Sequence, residues 1–137
     1  MTDNFDQIST KSGFMKHNGG LLIKKLSETE YQFKTKVTSN HLNRAGITHG
    51  GYIASIIDAG SGSAAHKTAE NFPCVTISLE VKFLAPTKEG DEIYGISKIS
   101  KKTKSMIFIV CNLECNGKII ATASGVWKIL RNKSLPK

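Results

Sequence analysis

The stretch Asn43-Arg-Ala-Gly-Ile-Thr-His49-Gly50-Gly51-Tyr-Ile-Ala-Ser-Ile-Ile-Asp58 brings together residue types suited to attack on a carbonyl. A polar loop runs into His-Gly-Gly, and apolar residues at helical spacing follow it. A helix that starts there exposes unpaired backbone N–H groups and the positive end of its dipole. Glycine lets a ligand oxygen come close to the Gly50 amide, which suits an oxyanion hole for a tetrahedral intermediate. Asp58 lies among Ile56, Ile57 and Ala59, with Ala54 and Gly62 one turn away on either side. A carboxylate on so uncharged a face is partly desolvated and sharpened as base or nucleophile. Taken singly, each residue also has a plainer use: His-Gly-Gly as a turn, Asn43 as a turn former, Asp58 as a solvated acid, Thr76 as the outward face of a strand.

Spacing adds a constraint. Gly50 and Asp58 are eight residues apart, about 12 Å along one helix at ~1.5 Å per residue. They cannot both reach one carbonyl from a single chain. Two such helices packed antiparallel would set Gly50 of one beside Asp58 of the other, so the site would require a dimer.

The elements that must position these residues follow from periodicity. Residues 1–18 lack a clear period and are expected to form an arm or short helix, before a domain over 19–131 and a tail at 132–137. Leu21 to Leu26 and Tyr31 to Val37 are expected strands, and 39–50 a loop. Gly51 to His66 is the expected helix, and its internal glycines each cost about 1 kcal/mol relative to alanine, which implies something packed close against its backbone. Val75, Ile77, Leu79, Val81 and Phe83 alternate with Thr76, Ser78, Glu80 and Lys82 in a strand that ends near Pro86. Glu92 to Ile99 comes next, then a lysine-rich turn. Ser105 to Cys115 and Lys118 to Leu130 form a hairpin about Asn116-Gly117. In Met106–Cys115 both faces are apolar, so a partner subunit is expected over the face that the helix leaves bare.

Composition excludes several classes. The chain has 137 residues with 39% apolar and 22% charged, one domain's worth. No stretch approaches the 18 apolar residues of a membrane span. The start, Met1-Thr-Asp-Asn-Phe-Asp, has no signal-peptide pattern. Cys111 and Cys115 would lie about 13 Å apart in a strand, beyond disulfide reach, so reduced thiols and a cytoplasmic location are expected. Cys-x3-Cys without a nearby histidine does not make a metal site, and no dinucleotide, P-loop or zinc-protease motif is present, so no cofactor is expected. The net charge of +8 comes from lysine, with arginine only at positions 44 and 131. Aromatic residues do not interleave with the lysines, which argues against nucleic acid. A solvated surface or a patch for a small polyanion remains.

The pattern Asn43-x2-Gly46-x2-His49-Gly50-Gly51-x6-Asp58, followed by Val75-Thr76-x-Ser78-Leu79-x-Val81-x-Phe83-Leu84-x-Pro86, resembles PaaI-like hotdog-fold acyl-CoA thioesterases, including the acyl-CoA thioesterase 13 branch. The resemblance runs from about Gly20 to Trp127. It implies an α+β hotdog fold, a long central helix wrapped by a curved six-stranded antiparallel sheet, paired into dimers and these into homotetramers. It implies Asp58 as base or nucleophile and the Gly50 amide as oxyanion donor. Asn43 would position the carbonyl or the water, His49 would shape the loop, and Thr76 would hold the water beside Asp58. Phe83, Pro86, Lys88, Lys101, Lys102 and Lys104 would line the path of the CoA moiety, which is part of the substrate. Arg44 and Tyr52 add bulk beside the motif. The competing class is a non-catalytic acyl-CoA binding or sensing module, against which the full Asn43, Gly50, Asp58 and Thr76 set argues.

Overall fold

The computed structural model describes residues 4–131. The chain forms β1 (Asp6–Ile8), a four-residue helix α1 (Phe14–His17), β2 (Leu21–Lys25) and β3 (Glu30–Lys36), then a 3-10 turn at Ser39–His41. The long helix α2 (Gly50–Thr68) follows, and then β4 (Cys74–Phe83), β5 (Glu92–Lys102), β6 (Met106–Cys115) and β7 (Lys118–Ile129). All strand pairs are antiparallel, in the order β1-β2-β3-β5-β6-β7-β4. Among the described residues seven strands stand where six were expected, because residues 6–8 of the arm pair with Leu21–Ile23. The tail at 132–137 lies outside the described residues.

The hairpin at Asn116-Gly117 has positive φ at both residues (53° and 77°), as a tight two-residue turn between twisted strands requires. Two of the expected boundaries move. The helix includes Gly50 and runs to Thr68. Lys101 and Lys102 belong to β5 rather than to a turn, because a register shift between Ile99 and Lys101 lets pairing with β6 continue to Ile107.

One face of the sheet curls around α2. Phe33, Ile56, Ile57, Ile93, Ile107, Leu113 and Trp127 are fully buried between helix and sheet. The Phe33 ring accounts for one of the helical glycines. A Cβ on Gly60 would stand 2.4 Å from the ring, and one on Gly95, Phe33's partner in β5, would stand 2.2 Å from it. The close approach expected at the helix backbone is therefore an aromatic ring, wedged between a helical and a strand glycine.

Strict alternation along β4 breaks at one place. The register shifts between Thr76 and Ser78, so Thr76 pairs with the inward Trp127 and joins Leu79, Val81 and Phe83 on the helix side. Ile77 is turned out and is 53% exposed. This reverses the placement that strict alternation alone gives both residues, since a bulge advances the side-chain phase by one position. On β6, Ile107, Ile109, Cys111 and Leu113 face the core, while Phe108 and Val110 lie exposed on the outer face.

Candidate active site

The start of α2 is held from several directions. His49 is the N-cap, and its Nδ1 accepts the Gly51 N–H at 2.7 Å. This explains the paired glycines. A Cβ on Gly51 would stand 2.9 Å from His49 Nδ1, so the cap needs glycine there. A Cβ on Gly50 would come within 3.4 Å of the Phe83 ring. Gly50 is the first residue of the helix, where backbone N–H groups lack intrahelical acceptors. Among the described residues none accepts from its N–H.

The loop before the helix is closed on itself. Asn43 Oδ1 accepts from the N–H groups of Ala45 (2.9 Å) and Ile47 (3.3 Å), which leaves Nδ2 as the uncommitted end of the side chain. A second tie was not legible in the sequence. Thr87 Oγ1 donates to Thr48 Oγ1 at 2.6 Å, and the Thr48 N–H donates to the Thr87 carbonyl at 2.9 Å, which joins the segment after β4 to the segment before α2. Between them opens a cavity of about 400 Å³ lined by Asn43, Gly50, Ile53, Phe83, Pro86 and Thr87. Tyr52 does not add bulk to this cavity. It is buried in its own fold, stacked on His41, and burial raises its phenol pKa.

Asp58 lies two turns further along α2, on its half-buried side, and Thr76 Oγ1 donates to its Oδ1 at 2.7 Å. Around it, Ala54, Ser55, Ala59, Gly62 and Ser63 form a half-exposed strip of small residues. This strip is the side of α2 that the chain's own sheet leaves uncovered, and Asp58's partner is on β4, the terminal strand of the sheet. The structure thus brings Asn43, His49, Gly50, Phe83 and Pro86 together, pairs Asp58 with Thr76, and keeps the two groups about 12 Å apart along one helix.

The lysines also divide. Lys88 lies on the Gly50 side, 3.6 Å from Asp91. Lys102 is at the other end of α2, where Nζ donates to the Thr68 carbonyl at 3.1 Å, and Lys101 and Lys104 flank it. One chain cannot apply Lys88 and the Lys101–Lys104 segment to the same phosphate, because a 19-residue helix of about 28 Å lies between them. Among the described residues no group of three His, Cys, Asp or Glu side chains could hold a metal, and no helix is long and apolar enough to cross a membrane.

A long helix enclosed by one curled antiparallel sheet, with a glycine-led helix start and a carboxylate further along, defines the hotdog class. Residues 45–120 match the model of the Thioesterase superfamily, more than half of the chain, and the chain belongs to that family. It is 33% identical over 88 residues to mouse acyl-coenzyme A thioesterase 13, a match covering 63% of each chain, so it spans less than two thirds of that relative's length. Zebrafish thioesterase superfamily member 2 superposes with a TM-score of 0.79 at 23% identity, covering 88% of both chains. The PaaI protein of the Escherichia coli phenylacetic acid degradation operon superposes at 0.74 with 20% identity, covering 80% of this chain and 79% of that one. At these identities the two structures show the shared fold.

Proposed function

We propose that the protein is an acyl-CoA thioesterase whose site forms between two copies, with Gly50 supplied by one and Asp58 by the other. The observation that carries this reading is the Thr76–Asp58 hydrogen bond on the open side of the same helix that begins at Gly50. Pairing two α2 helices antiparallel over their small-residue strips brings each Asp58 level with the other copy's Gly50. The free edge of the ten-residue strand β4 can then extend the sheet across the pair, a use that also removes an exposed edge. A second dimer over Phe108 and Val110 would complete a homotetramer.

The chemistry follows from the groups. Thr76 holds Oδ1 of Asp58, while its hydroxyl oxygen remains an acceptor for water. Asp58 takes a proton as water attacks the thioester carbon, the Gly50 N–H receives the developing oxyanion, and the C–S bond breaks with protonation of the CoA sulfur. Asn43 Nδ2 orients the carbonyl or the water, and His49 holds the loop. Phe83, Pro86 and Lys88 flank the CoA arm on the Gly50 side. The Lys101, Lys102 and Lys104 that meet its phosphates come from the Asp58-bearing copy, whose helix runs on about 15 Å past Asp58 to Thr68. The free thiols of Cys74, Cys111 and Cys115 fit a reducing, cytoplasmic setting.

Thiol release from a panel of acyl-CoAs tests this. Asp58→Asn should lower turnover at least ~100-fold, as loss of a general base does. Equal rates for both proteins would reject the mechanism, and binding without turnover would identify a sensor.

A further inference from the structure

His41 belongs to no motif in the sequence, yet it is 4% exposed and every polar atom of its side chain is engaged. Its Nδ1 accepts the Thr38 N–H at 3.0 Å, so the ring proton is on Nε2, which donates to the Asn18 carbonyl at 2.7 Å. The ring stacks on that of Tyr52, with centroids 3.6 Å apart and planes 9° from parallel. The hydroxyl of Tyr52 meets Thr35 Oγ1 on β3 at 2.9 Å. The His41 carbonyl in turn accepts the His49 N–H at 2.8 Å. One residue therefore touches the N-terminal arm, the loop before α2 and the first turn of α2.

Gly50 and Gly51 have no side chains with which to fix their own backbone, and consecutive glycines are the residues that resist ordering most. Their direction must come from the residues on either side, His49 and Tyr52. His41 grips both, one by its carbonyl and the other by its ring. Asn18, whose N–H and Nδ2 both donate to the Phe14 carbonyl, closes off α1 and presents its own carbonyl to His41. We infer that His41 is a positioning residue that clasps the N-terminal arm to the start of α2 and sets the direction of the Gly50 amide. This rests on the thioesterase reading. His41 takes no part in the lining of the cavity beside Gly50.

The experiment begins with thiol release by the wild-type chain and continues with His41→Phe and His41→Gln. His41→Phe keeps a ring on Tyr52 and loses both hydrogen bonds, while His41→Gln keeps a donor for Asn18 and loses the stack. Each is assayed below its own unfolding transition, followed by circular dichroism. His41→Phe should lower kcat roughly 10- to 100-fold, the scale of a misplacement of about 1 Å at a reacting centre, with KM held within about twofold. His41→Gln should fall between it and wild type. A fully folded His41→Phe with wild-type kcat and only a lower melting temperature overturns the inference, as does a change confined to KM. Should His41→Phe fail to fold, the kcat of His41→Gln decides by the same criterion. An inert wild-type chain would reject the thioesterase reading itself, and the clasp with it.

Discussion

The first turn of α2 and its third turn are built on opposite plans. Around Gly50 the chain braces its own backbone: His49 caps, Asn43 folds its loop, Thr48 and Thr87 tie two segments together, and Phe83 lies over the glycine. Around Asp58 it closes almost nothing, and one hydroxyl on a terminal strand is the carboxylate's hydrogen-bond partner among the described residues. A braced helix start and an open carboxylate about 12 Å apart on one rigid rod cannot meet within one molecule. The difference is what a second copy would resolve.

Three measurements test that contrast. The largest expected effect is activity created from two inactive proteins. Asp58→Asn and Asn43→Ala chains, each impaired alone, are mixed under conditions of subunit exchange. A two-fold hybrid holds one doubly altered and one intact site, so about a quarter of all sites recover in an equal mixture. Confirmed exchange without recovered thiol release would refute the shared site. A smaller effect is expected from Thr76→Val, which keeps the shape and removes the hydroxyl. The lost hydrogen bond to a charged group, on the order of 1.5–3 kcal/mol, should reduce kcat by tenfold or more while the fold stands. Unchanged kinetics would make the Thr76–Asp58 contact incidental. The smallest effect on chemistry is expected on the closed side of the helix. Gly60→Ala pushes a methyl into the Phe33 ring and should cost about 1–3 kcal/mol in urea unfolding, with the subunit count unaltered. A stability equal to wild type would show that the Phe33 wedge yields freely.

Much of this was legible in the residue order, and the exceptions have identifiable causes. The strands and the helix follow from apolar periods of two and three to four, and the hairpin follows from Asn116-Gly117, because these depend on neighbours in the chain. The two faces of β6 were legible for the same reason. The short β1 was not, since three residues carry no period. Thr76 was misplaced by alternation because a bulge is set by pairing with β7 and leaves no mark in β4 itself. The Thr48–Thr87 and His41–Asn18 ties join residues 39 and 23 positions apart, beyond the reach of any local pattern.

Residue order alone sets the long helix and the six longer strands, the glycine-led helix start and the fixed spacing from Gly50 to Asp58, because helical rise and residue type are local properties. Tertiary structure decided which strand hydroxyl reaches Asp58, what grips the helix start, and which side of α2 stays uncovered. Those depend on register and packing between distant segments, and their energies exist only once the sheet has closed around the helix.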